Sequence, residues 1–126
     1  MSDESAYGNV RYIVQDVQVA IDFYTIHLGF TLHSHPAPPF ADVTRGSLRL
    51  LLSGPGSSGA RATPAATSGP GRNRIHLLVD DLDSEVERLR AAGVPLHGDI
   101  VSGPGGKQAL VVDPDGNLAE LFEPAQ

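Results

Sequence analysis

Several short stretches of this chain have side-chain types and spacings that could do chemistry. "NRIHLLVDD", Asn73–Asp81, sets Arg74 and His76 two residues apart. On a strand, alternate residues share a face, so both side chains point the same way. "HSH", His33–His35, puts two imidazoles on one strand face, a spacing that metals use. No third ligand is adjacent and Pro36, Pro38 and Pro39 follow at once, so a strand running into a surface loop is preferred. His27, on a helix, and His97, after Pro95, read as exposed. Asp113 and Asp115 belong to a turn, so general acid–base work would fall to Glu120 or His76. With no cysteine, disulfides, thiolate metal sites and cysteine nucleophiles are excluded. No glycine-flanked serine elbow supports a Ser-His-Asp triad. "GPGG", Gly103–Gly106, lacks the strand–loop–helix setting of a phosphate cradle and reads as a hairpin loop.

The elements that must position these residues come in two similar sets. "VRYIVQDVQVAIDFYTIHLGF", Val10–Phe30, and "IHLLVDDLDSEVERLRAAGV", Ile75–Val94, each open with an aliphatic strand run and continue into helical spacing. Val17, Ala20, Ile21, Tyr24 and Leu28 share one helical face, and Leu82, Val86 and Leu89 share the other. Asp16 and Asp81 are natural N-caps, because a carboxylate accepts the free amide protons of a first turn. Gly29 and Gly93 stand where a left-handed C-terminal residue is wanted. Val14–Asp16 and Val79–Asp81 align at an offset of 65, while Gly29 and Gly93 differ by 64, so the second helix is one residue shorter. "DSEVERLR", 83–90, is the wet face of that helix, with acids near its start and arginines near its end, which suits the helix dipole.

Three extended runs follow each helix: "FTLHSHP", "FADVTRG" and "SLRLLLS", then "LHGDIVSG", "KQALVVD" and "NLAELFEP". "DPDGN", Asp113–Asn117, is a turn signal, and "TRGS", Thr44–Ser47, is its plainer counterpart. Each half is therefore strand, helix, strand, strand, strand. The expected fold is α+β, a single domain of two βαβββ modules over 8–53 and 73–124. Between them lies a Gly/Ser/Ala/Pro-rich loop over 54–72, whose composition buries too little apolar surface to offset its ordering entropy.

Bulk composition narrows the partners. The net charge is -6, with nine scattered Lys and Arg against fifteen acids, which excludes the basic patch of a nucleic-acid binder and disfavours an anionic membrane. No apolar run approaches the ~20 residues that span a bilayer. The polar, acidic N-terminus lacks the regions of a signal peptide, so the expected location is cytoplasmic.

The paired unit, with "FYTIHLGF" in one half and "AAGV…GPGGKQALVVDPDGNLAELFEP" in the other, resembles the vicinal oxygen chelate superfamily, which includes glyoxalase I, bleomycin-resistance proteins and extradiol dioxygenases. The resemblance covers about residues 8–124. It implies sheets curled around a shared cavity, and frequently a homodimer. It also implies a divalent metal with up to four ligands from the first and last strands of each module. Those positions fall on Asn9, Leu50, Arg74 and Glu120. Only Glu120 is a good ligand: Asn is weak, leucine has no donor atom, and arginine is cationic with no lone pair to offer. A guanidinium there repels a metal and can pair with the leftover carboxylate. An Arg74–Glu120 ion pair is the expected replacement. His76 lies ~6–7 Å beyond Arg74 along the strand, away from the point where the ligands converge.

Strand alternation gives an expected cavity face of Asn9, Arg11 and Ile13; Leu48, Leu50 and Leu52; Arg74, His76 and Leu78; and Leu118, Glu120 and Phe122. His33 is expected to join this ligand-binding set, with Phe40 at its rim. Apolar walls with a few convergent polar groups are the usual make-up of a small-molecule site. The expected function is metal-free and cofactor-free binding of a small aromatic or hydrophobic natural product, as the family's antibiotic-resistance proteins sequester theirs, with no catalytic residue. The alternative is an enzyme of the superfamily (lyase, isomerase or dioxygenase) with an atypical metal set or acid–base chemistry through Glu120.

Overall fold

Two carboxylates start the two helices. In a computed structural model that describes residues 7–57 and 74–126, α1 (Val17–His27) is capped by Asp16, whose side chain accepts from the Val19 amide at 3.1 Å. The second helix, α2 (Leu82–Ala91), is capped by Asp81, which accepts from the Ser84 amide at 3.1 Å. The Leu82 amide donates to Glu123 at 2.8 Å, so two carboxylates satisfy the first turn of α2. Both helices stop at glycines in the left-handed region, Gly29 at φ 74° and Gly93 at φ 77°. As expected, α1 has 11 residues and α2 has 10.

The described residues fall into two compact units, one on each side of the break. From residue 58 on, the loop expected over 54–72 lies outside the described residues. The first unit runs β1 (Gly8–Ile13), α1, β2 (Thr31–Ala37), β3 (Phe40–Arg45), β4 (Leu48–Ser53). The second runs β5 (Ile75–Leu78), α2, β6 (Val101–Gly103), β7 (Gly106–Val112), β8 (Leu118–Pro124). Each unit holds one four-stranded mixed sheet, in the orders β1-β4-β3-β2 and β5-β8-β7-β6. In each, the first strand pairs parallel with the last, and the other pairs are antiparallel. The fold is thus α+β, with two βαβββ modules. β6 is shorter than "LHGDIVSG" suggested: Gly98 at φ 79° interrupts the run, leaving Leu96 a single bridge to Val111.

Each helix covers one face of its own sheet. Val17, Ala20, Ile21, Tyr24 and Leu28 are buried, joined by Phe23. Tyr24 packs edge-on against Phe30 at 5.4 Å and meets Tyr12 of β1 at 6.5 Å. In the second unit Leu82, Val86 and Leu89 are buried with Val111, Ala119 and Leu121. Each fully buried leucine contributes about 1.5–3 kcal/mol of transfer free energy.

One strand faces the opposite way from expectation. Leu50 lies beside Val10 and Val43, and Leu52 beside Tyr12 and Ala41, so these leucines belong to the α1 face. Leu50 and Leu52 are fully buried there, and Leu48 follows by alternation. The cause is the turn. The β3–β4 hairpin continues to the Arg45–Leu48 pair and turns on Gly46 and Ser47, whereas β7–β8 closes at Val112–Leu118 around the whole of Asp113–Asn117. The first hairpin therefore pairs one residue further before turning. A one-residue shift moves every side chain to the other face. Arg49, Leu51 and Ser53 take the face turned away from α1, and Leu51, opposite Arg11, matches Glu120, opposite His76.

Candidate functional site

In each unit the sheet face turned away from the helix carries an arginine, a carboxylate and a histidine in contact. In the second unit these are Arg74, Glu120 and His76. The strand pairing sets His76 directly opposite Glu120. The Arg74 Nε and Nη2 groups both stand 3.0 Å from Oε1 of Glu120. This is the expected ion pair. The His76 Nε2 atom stands 3.5 Å from the other carboxylate oxygen, and its ring leans over Phe122 at a centroid distance of 5.0 Å and 37°. Glu120 is buried to 9 % exposure, whereas the Arg74 and His76 side chains are 40 % and 49 % exposed. The arrangement offers a buried carboxylate, a cation and a tilted His–Phe pair, groups capable of hydrogen bonding, ion pairing and ring stacking.

In the first unit the centre is Asp42, which the sequence reading passed over. It lies on β3 opposite Leu51 and is fully buried. Its Oδ2 accepts from Arg49 Nε at 2.6 Å and from His33 Nδ1 at 2.7 Å, and its Oδ1 accepts from the Ser34 hydroxyl. A bulge in β2 makes this possible. Pairing shifts between Leu32–Val43 and Ser34–Asp42, so His33 and Ser34 both reach the one aspartate. Burial works against the charged form of Asp42. The hydrogen bonds from Ser34 and Arg49, the Arg49 charge and the bond from His33 outweigh it and hold the carboxyl below its usual range. Tyr7 meets the His33 ring edge-on at 5.9 Å. The signal for Asp42 was present: a lone acid between Ala41 and Val43 in a strand run, where aspartate is depleted.

The other expected residues are placed as follows. Asn9 and Arg11 are exposed on the same face as Asp42, opposite Arg49 and Leu51. Phe40 is half-buried at the start of β3, opposite Ser53. Phe122 is half-buried opposite exposed Leu78. Leu48 and Leu50 are not on this face. His35 is exposed, and so is His97, while His27 is half-buried against Phe23 at 5.6 Å.

The metal positions implied by the resemblance do not fit a metal. Corrected for the hairpin, they are Asn9 and Leu51 in the first unit and Arg74 and Glu120 in the second. Leu51 has no donor, and the Glu120 carboxylate is engaged by the guanidinium at the neighbouring position. Among the described residues, no group of three or more His, Asp or Glu side chains could hold a metal ion. Among them too, no helix is long and apolar enough to cross a membrane.

Similar proteins agree on the architecture. TnmS3, an antibiotic binding protein from Streptomyces sp. CB03234, is 29 % identical, with a TM-score of 0.73 over 94 % of this chain and 95 % of that one. A lactoylglutathione lyase from Agrobacterium tumefaciens is 26 % identical, with a TM-score of 0.70 over 94 % and 93 %. A family enzyme from Burkholderia phytofirmans PsJN, at 22 % identity and a TM-score of 0.79 over 98 % and 100 %, shares the fold. No curated protein matches the chain significantly. The model of the Glyoxalase/Bleomycin resistance protein/Dioxygenase superfamily matches residues 7–121, and the chain belongs to that superfamily.

Proposed function

We propose that this chain is a metal-free binding protein that sequesters a small aromatic or hydrophobic natural product, with no catalytic residue of its own. One observation carries the reading: the Arg74 guanidinium lies 3.0 Å from Glu120, at the position where an enzyme of the family would place a second metal ligand. A guanidinium cannot ligate, and it repels a divalent cation from the carboxylate it holds. What remains is a surface of stacking and hydrogen-bonding groups, which suits retention of a ligand better than turnover. The 29 %-identical antibiotic binding protein supports the same reading.

The test has two parts. Elemental analysis of the purified, dialysed protein is expected to return Zn, Fe, Mn and Ni far below one per chain. A thermal-shift screen of planar aromatic antibiotics is expected to raise Tm, because a ligand that binds only the folded state stabilises it by mass action. Near-stoichiometric metal that resists dialysis would overturn the proposal. It would favour an enzyme working through Glu120, the reading to which the 26 %-identical lyase belongs. No response across a broad library would also count against sequestration.

A further inference from the structure

The Asp42 cluster fixes how His33 presents itself. An ionised carboxylate only accepts hydrogen bonds, so the group on His33 that meets Asp42 Oδ2 at 2.7 Å must be Nδ1–H. Ser34 and Arg49 donate to the same carboxylate, which leaves the aspartate no proton to give. A neutral imidazole bonded through Nδ1–H carries its lone pair on Nε2, across the ring from Asp42. Among the described residues the ring's polar contact is with Asp42 and its ring contact is with Tyr7. The His33 side chain keeps 24 % of its surface exposed, while Asp42 behind it keeps none. The bulge in β2 and a fully buried acid are costly to build for a surface histidine with no task. Together they hold the imidazole ring in one orientation, with the Tyr7 ring 5.9 Å away.

We infer that His33, held by Asp42, is a specificity determinant for a ligand that bears a phenolic or enolic hydroxyl, which donates its hydrogen bond to Nε2. This deepens the sequestration proposal and rests on it: it narrows an aromatic ligand to a hydroxylated one. A methyl ether of the same skeleton has no proton to donate and leaves the acceptor unmet. The donor comes from the ligand, so no metal is called on. His33 acts in binding, and Asp42 is the residue that positions it.

The test compares 2-hydroxyanthraquinone with 2-methoxyanthraquinone by fluorescence titration against the wild-type chain and His33→Asn. Asparagine can keep a donor near Nδ1 for Asp42 and has no atom at Nε2. The wild type is expected to bind the hydroxy compound about tenfold more tightly, the size of a single net hydrogen bond. In His33→Asn that ratio is expected to collapse to about one, with Tm little changed. Long-range 1H–15N spectra of the ligand-free protein are expected to show the Nδ1–H tautomer of His33. The Nε2 signal is expected to move with the hydroxy compound and to stay with the methoxy one. Equal wild-type affinity for the two compounds, or a ratio that survives His33→Asn, overturns this inference and leaves sequestration standing. Binding of neither compound counts against both. An Nε2–H tautomer overturns the inference without any ligand.

Discussion

Asp42 and Glu120 are both carboxylates on the sheet faces turned away from the helices, yet they stand in different settings. Asp42 is fully buried with three side-chain donors, and Arg49 beside it is only 18 % exposed. Removing its charge breaks a short ion pair to Arg49 and weakens two further hydrogen bonds at a buried site, so Asp42→Asn is expected to cost about 2–3 kcal/mol in urea denaturation at pH 7. The pH dependence follows from the direction of its shift. The folded carboxyl ionises below the ordinary range of an aspartate, so its contribution is fully present above that range and is lost as pH falls through the folded value. The gap between wild type and Asp42→Asn is therefore expected to stay constant from pH 7 to about 5 and to shrink below 4. Arg74 is 40 % exposed and its pair is partly screened by water. Arg74→Ala is expected to cost under about 1 kcal/mol by the same measurement and, on the proposed sequestration reading, to weaken retention of an aromatic compound. The sequence announced the Arg74–Glu120 pair because the family resemblance, carried to Arg74 by the repeat offset and to Glu120 by "GNLAEL", put both residues at implied metal-ligand positions. Asp42 stood out only as a lone acid in a strand run, and the bulge that brings His33 and Ser34 to it cannot be read from alternation.

At the scale of elements, the two hairpins separate what was legible from what was not. Helix faces, caps and glycine stops follow from local chemistry, and each stands where the sequence places it. The face of β4 does not, because it depends on where the β3–β4 turn closes. A pair of truncations checks the assignment. Leu50→Ala is expected to cost about 2–5 kcal/mol, because it opens a cavity beneath α1. Leu51→Ala, on the half-buried opposite face, is expected to cost clearly less in the same denaturation series. The glycines divide in the same manner. At Gly93 a Cβ meets open space and only the left-handed backbone resists it, so Gly93→Ala is expected to cost about 1 kcal/mol. At Gly106, φ 145°, a Cβ would collide with the Glu123 carbonyl and the Phe122 ring. Gly106→Ala is therefore expected to lower Tm well beyond Gly93→Ala and to disturb the β7–β8 pairing.

For the whole molecule, the proposed reading predicts indifference to chelators. Dialysis against EDTA is expected to leave both Tm and ligand retention unchanged, whereas an enzyme built on a bound metal would lose activity and stability together. We also propose a homodimer, for which light scattering is expected to return twice the 13.3 kDa chain mass. The sequence by itself determined the duplicated βαβββ plan, because caps, glycine stops and apolar spacing are local and repeat at a fixed offset. It also put an arginine and a leucine, which cannot ligate wherever they point, at positions where the family resemblance implies metal ligands. Only the tertiary structure decided which side of its sheet Leu50 takes and that Asp42 gathers His33, Ser34 and Arg49. Both depend on strand register, which is set by turn closure and a bulge, and a shift of one residue there exchanges the two faces of a strand.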